Sequence, residues 1–170
     1  MERILIIGCP GSGKTTLAKE LGRKLDTPVV HLDRLWWTGE WETVSQQEFD
    51  AQLDAALEQD AWIIDGNFSR TMPMRIARCD TIIYLDFNRF ACLWGAACRM
   101  LKSYGKARED MDGNCPERFD REFMKFIWNY NKRNRSMNHG IISRARHAKA
   151  VVLKNRREVK NFLENAMRRY

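Results

Sequence analysis

Four short apolar runs, each stopping at a glycine or an aspartate, set the rhythm of the chain. Ile4 to Ile7 is compact, β-branched and closed by Gly8, which predicts a buried strand. From Lys14 the period changes: Leu17, Leu21 and Leu25 recur on one helical face until Asp26-Thr27-Pro28 stops them. A second strand, Val29 to Leu32, ends at Asp33. Ser45-Gln46-Gln47-Glu48 is a capping box, in which serine and glutamate satisfy each other's free amides at a helix start. Phe49, Leu53, Ala56 and Leu57 then form an apolar stripe. The third strand, Trp62 to Ile64, ends in Asp65-Gly66, and the fourth, Thr81 to Leu85, ends in Asp86.

Beyond Asp86 the pattern loosens. A helix carrying Phe90, Trp94, Ala97 and Leu101 follows, with Asp86 and Asn88 as rival caps. Residues 103–117 are polar and broken by glycines and a proline, which predicts an excursion from the body. Phe119, Phe123, Phe126 and Tyr130 mark a returning helix, whereas residues 136–148 show little pattern. Ala150 to Leu153 is the fifth strand, and Val159, Phe162, Leu163 and Ala166 mark a closing helix. Strands alternating with helices predict an α/β domain whose parallel sheet is covered on both faces.

Chemistry concentrates at the first strand-to-helix junction. Gly8-Cys9-Pro10-Gly11-Ser12-Gly13-Lys14-Thr15 fits G-x-x-x-x-G-K-[ST] between a strand and a helix, the context that makes the pattern a P-loop. Its glycines let backbone N–H groups converge on phosphates, and the helix N-terminus adds its positive dipole end. Gly8, Gly11, Ser12, Gly13, Lys14, Thr15 and Thr16 are therefore candidate ATP contacts, with Lys14 reaching the β- and γ-phosphates and the Thr15 hydroxyl on Mg²⁺. Cys9 reads first as a small neutral residue; its nearness to a helix N-terminus makes a lowered pKa and oxidation sensitivity a secondary expectation.

In such a sheet, ligands lie beyond the carboxyl ends of the strands, where Asp33, Asp65 and Asp86 all fall. Asp65 suits a carboxylate that holds Mg²⁺ through water. Asp33 suits either an acceptor-side role, accepting a proton from a hydroxyl or orienting the acceptor, or turn capping or metal support. Trp36, Trp37 and Trp41 either wall an acceptor pocket or pack the helix that begins at Ser45. His31, His139 and His147 lack metal-ligand spacing, and His31 reads as a hydrogen-bonded core histidine.

Composition narrows the class. The 170 residues suit one domain able to bury its own core. No run approaches the roughly 20 apolar residues of a membrane span, and the N-terminus has neither the basic start nor the cleavage site of a signal peptide, so a cytoplasmic protein is expected. Five cysteines without a C-x-x-C pair read as reduced thiols. Charge is uneven: residues 1–85 carry 9 Lys+Arg against 13 Asp+Glu, and residues 86–170 carry 20 against 9. The second half is thus suited to nucleotide phosphates or nucleic acid, or presents solvated basic helices.

Asp65-Gly66-Asn67-Phe68-Ser69-Arg70-Thr71 resembles the D-G-F-P-R-T segment of adenylate-kinase-like nucleotide and small-molecule kinases, with one residue inserted and serine for proline. HLD with its tryptophans, WIIDGNFSRT, TIIYLDF, YGKAREDM and CPERFD follow the motif order of the bacterial DNA topology modulation protein family, almost end to end. The resemblance implies a three-layer αβα, nucleoside-monophosphate-kinase-like P-loop fold with strand order 2-3-1-4-5. It also implies an acceptor-binding helical segment at about residues 34–60 and a small lid at about residues 99–118. By the same resemblance Arg70 would grip an acceptor's anionic group, Arg99, Lys106 and Arg108 would serve the lid, and Asn155 and Arg156 would border the adenine.

Two functions fit. One is an ATP- and Mg²⁺-dependent phosphotransferase acting on a nucleoside, a nucleotide or a small hydroxylated anion, as a monomer or homodimer. The other is a nucleic-acid-associated P-loop NTPase or regulator of DNA topology, with Lys132, Arg133, Arg135, Arg144, Arg146 and Lys149 as phosphate contacts. The chain shows no helix-turn-helix, zinc-ligand or RNA-binding signature to support the second.

Overall fold

A computed structural model describes residues 1–38, 41–104 and 119–166. Lys106, Arg108 and Cys115, with most of the expected lid, lie outside the described residues. The elements are β1 (Arg3–Gly8), α1 (Lys14–Leu25), β2 (Val29–His31), α2 (Leu32–Trp36), α3 (Gln46–Leu57) and β3 (Trp62–Asp65). A 3-10 turn (Ser69–Thr71) leads to α4 (Met72–Arg78), then β4 (Thr81–Leu85), α5 (Arg89–Ser103), α6 (Arg121–Arg144), β5 (Lys149–Leu153) and α7 (Arg156–Ala166).

All five strands are parallel, in the order β2-β3-β1-β4-β5. Ile4 and Ile6 face one core with Leu17, Leu21, Cys92 and Ile127; Leu5 and Ile7 face a second with Phe49, Leu53, Ile64 and Ala145. Because β1 is buried on both faces, its sequence reads as an unbroken apolar run rather than an alternation. The result is the expected three-layer αβα sandwich. No described helix is long and apolar enough to cross a membrane.

Several local expectations hold. The Ser45 hydroxyl accepts from the Glu48 amide at 3.1 Å, so the serine half of the box caps α3 as read, while the Glu48 carboxylate accepts from Gln52 at 3.4 Å. Asp26, in the left-handed conformation (φ 51°), ends α1 before Pro28.

Others need correction. β2 stops at His31, and Leu32 to Trp36 form the short helix α2, placing Asp33 in a first helical turn rather than at a strand end. Asn88, not Asp86, caps α5 by accepting from the Ala91 amide at 2.9 Å. Asp86 is instead buried, and it accepts from Arg135 (2.9 and 3.1 Å) and His139 (3.2 Å) of α6. The weak pattern over 136–148 has a physical cause: α6 runs to Arg144, burying Ile127 and Tyr130 in the first core before Ile141 and Ile142 reach the second. A helix that changes the core it faces keeps no single apolar stripe.

The stripe of α5 points the unexpected way. Phe90, Trp94 and Leu101 are 68%, 69% and 77% exposed, while Cys92 and Ala96 are buried. A side chain built on Gly11 would collide with the Cys92 carbonyl, and one on Gly95 with the Gly11 carbonyl. The helix lies so close to the P-loop that only small residues fit between them.

Candidate active site

The first strand-helix junction builds an anion cradle from backbone. Gly11 (φ 80°) and Gly13 (φ 95°) adopt the left-handed conformation, in which glycine alone is unstrained. Gly13 caps α1, and a Cβ there would meet nothing within 4 Å, so the space beside it is open. The Ser12 hydroxyl is buried and, among the described residues, has no hydrogen-bond partner. A buried polar group of that kind calls for a ligand atom.

Lys14 follows at the start of α1. Part of its side chain meets solvent, yet desolvation of the ammonium lowers its pKa from the ordinary lysine range, against the opposing pull of Asp65 and then Asp33. Its Nζ donates to the Cys9 carbonyl at 3.3 Å. The expectation of a lowered Cys9 pKa is overturned: a hydrogen bond with Cys92 and burial in the first core push that thiol up. Cys9 is therefore a packing residue.

Asp65 lies at the carboxyl end of β3, buried, with both oxygens committed. Thr15 Oγ1 donates to Oδ2 at 2.9 Å, and His31 Nδ1 lies 2.5 Å from Oδ1. Facing a carboxylate oxygen, Nδ1 must carry the proton. His31 is thus the hydrogen-bonded core histidine expected, but its partner is the candidate metal carboxylate. The sheet explains the meeting, since His31 and Asp65 are register partners of β2 and β3. Thr15 and Asp65, the two residues expected at Mg²⁺, are brought together, and their oxygens and the unpaired Ser12 hydroxyl fit a hard cation with its phosphate.

The expected acceptor side is less complete. Asp33 reaches close enough to act on Lys14 electrostatically, so α2 carries it near the P-loop lysine. Arg70 forms a two-point ion pair with Asp50 of α3, at 2.9 and 2.6 Å, on the exposed rim. Trp36 packs edge-on against Phe49 at 5.5 Å, and Phe49 stacks on Phe68 at 5.1 Å, so Trp36 joins α2 to α3. Trp37 and Trp41 meet edge-to-face at 5.5 Å.

Arg99 sits within α5, its guanidinium 5.9 Å from the Phe123 ring of α6. Asn155 bonds the Glu158 amide at 2.9 Å as a cap for α7, while Arg156 lies beside Gly95, at the contact between α5 and the P-loop. Thr16 is exposed on α1.

Sequence reading missed two residues. Asn67 brackets Gly8, donating to its carbonyl at 2.9 Å and accepting from its amide at 3.1 Å. Arg75 is fully buried and donates to the carbonyls of Gly66, Asn67, Phe68 and Thr71. The DGNFSRT motif flagged the segment, but neither long-range bond has a sequence signature.

Comparison with known proteins agrees with this architecture. Residues 4–89, just over half of the chain, match the family described as AAA domain. No curated protein matches by sequence. Shikimate kinase from Bacteroides thetaiotaomicron superposes with a TM-score of 0.56 at 19% identity, covering 98% of this chain and 96% of that one. Shikimate kinase from Acinetobacter baumannii, solved in complex with shikimate, gives 0.59 at 13% identity, covering 99% and 92%. At these identities the likeness is one of fold.

Proposed function

Because the chain belongs to the AAA domain family, we propose that it is a Mg²⁺-dependent phosphotransferase that moves the γ-phosphoryl of ATP to a small acceptor. The observation that carries this reading is the meeting of the P-loop with a buried carboxylate: Thr15 donates to Asp65 at 2.9 Å beside the desolvated Lys14. The kinase-like fold supports it, and the shikimate complex of the A. baumannii enzyme supports an acceptor of that size.

Each residue then has a task. The amides of Gly11, Gly13, Lys14 and Thr15 and the Ser12 hydroxyl bind phosphate oxygens, and the Lys14 ammonium offsets their charge. Thr15 and, through water, Asp65 would hold Mg²⁺, which supplies charge neutralisation on the phosphates when bound. His31 keeps the Asp65 carboxylate from rotating away from Thr15. Asp33 takes the proton of an acceptor hydroxyl, and Arg70 exchanges Asp50 for the acceptor's anionic group. Arg99, with Arg108, serves the lid, and Asn155 and Arg156 border the adenine. Asp33 with Arg70 favours a hydroxylated anion, a nucleoside or a nucleotide as the acceptor.

A second reading, a nucleic-acid-associated NTPase of the DNA topology modulation type, draws on the exposed cations Lys132, Arg133, Arg144, Arg146 and Lys149. One experiment separates the two. ATP consumption is measured for the wild type and Lys14→Ala, alone, with pooled nucleosides, nucleotides and hydroxylated anions, and with duplex DNA. An acceptor-dependent, Mg²⁺-dependent rise confined to the wild type is expected. Stimulation by DNA alone, steeply salt-dependent, would favour the second reading.

A further inference from the structure

The sheet leaves a gap beside the P-loop. In a parallel strand, alternate residues turn both backbone groups toward the same neighbour. Ile6 faces β3, where its carbonyl accepts from Gly66 at 3.2 Å, so Gly8, two residues on, faces β3 as well. But β3 ends at Asp65, the register partner of Ile6, and has no backbone to offer Gly8. The Asn67 carboxamide fills that place. Its Nδ2 donates to the Gly8 carbonyl and its Oδ1 accepts from the Gly8 amide, the pair of bonds a continuing strand would have made. Only one orientation of the amide satisfies both.

Asn67 is itself held from behind. Arg75 donates at 2.9, 2.8 and 2.6 Å to the carbonyls of Gly66, Asn67 and Phe68, fixing the backbone from which the carboxamide reaches. Burial draws the Arg75 pKa down only to about 10, so at neutral pH its full charge serves these carbonyls. Two residues before Asn67, Asp65 takes Thr15. One bend, residues 65–68, therefore grips the P-loop at both ends, at Gly8 and at Thr15.

We propose that Asn67 is a positioning residue that keeps the P-loop in its phosphate-binding shape, and that Arg75 acts through it. The inference rests on the nucleotide-binding reading above. Without the carboxamide, the first turn of the loop samples conformations whose amides do not converge. Apparent affinity then falls in proportion to the competent fraction, while a loop already closed on nucleotide reacts as before. The signature is thus a rise in nucleotide Kd and KM with kcat retained.

The test is titration of ATP, with and without Mg²⁺, into the wild type, Asn67→Ala, Asn67→Asp and Lys14→Ala, with thermal unfolding and steady-state turnover of each. Asn67→Asp keeps the shape of the side chain but turns an oxygen toward the Gly8 carbonyl, so it serves if the alanine variant is poorly folded. Both variants are expected to bind ATP about tenfold more weakly, with kcat at saturation within about twofold of wild type. A folded Asn67→Asp protein with wild-type ATP affinity would overturn the inference, as would a lowered melting temperature with unchanged Kd. A wild type that binds no nucleotide would overturn the nucleotide reading itself, an outcome the Lys14→Ala comparison keeps distinct.

Discussion

The P-loop and the proposed acceptor side are built by opposite means. On the donor side eight consecutive residues form the cradle, its shape set by glycine backbone and its chemistry by Lys14 and Thr15. On the acceptor side, groups from α2, α3 and the segment after β3 must converge, and Arg70 is already engaged by Asp50. On the proposed reading the donor side is preformed, whereas the acceptor side holds its charge in reserve. Preformed backbone sites lose little entropy on binding, whereas a side chain held by a competing partner binds only what can displace that partner.

The sharpest way to break this contrast is at the donor side. Lys14→Ala should lower turnover about a hundredfold to a thousandfold by removing a charge aimed at the transferred group, with the fold intact by circular dichroism. Next comes Asp65→Asn, which weakens the hold on both Thr15 and His31. Its half-saturating Mg²⁺ concentration should rise about tenfold to a hundredfold, while nucleotide affinity measured without Mg²⁺ stays near wild type.

The acceptor side predicts paired effects of opposite sign. Arg70→Ala should raise the acceptor KM about tenfold and leave the ATP KM unchanged, whereas Asp50→Ala frees Arg70 and should lower the acceptor KM. The pair is exposed, so neither change should shift the melting temperature much. Equal and parallel losses in both variants would mean that the ion pair is structural.

The smallest effect is one of pH. Burial holds Lys14 below the ordinary value of 10.5, so its neutral form appears at lower pH than for an exposed lysine. ATP affinity should fall as pH rises through that depressed pKa, before 10.5 is reached, and titration calorimetry across the alkaline range should show no such slope for Lys14→Ala.

What could be read from sequence follows the same division. The P-loop, the serine cap of α3 and the ends of β1, β3 and β4 are local patterns, and they stand within a residue of where the pattern placed them, whereas the end of β2 gives way to α2. His31 with Asp65, Asn67 with Gly8, and Arg135 with Asp86 are 34, 59 and 49 residues apart, and only the strand order and the packing of α6 bring them together. The outward stripe of α5 shows the converse error. Its period is truly helical, but the close approach of Gly11 reserves the inner face for Cys92 and Ala96, so size overrides hydrophobicity. Likewise Asp86 reads as a cap until α6, distant in sequence, supplies Arg135 and His139 as its partners.

The most direct measurement is to follow the γ-phosphoryl of ATP itself, labelled, in the presence of Mg²⁺ and the acceptor pool, for the wild type and Asp33→Asn. Label is expected in a phosphorylated acceptor with the wild type, with a marked loss of that product in Asp33→Asn. Label found only in inorganic phosphate, at the same rate with and without acceptors, would exclude phosphoryl transfer to any member of the pool.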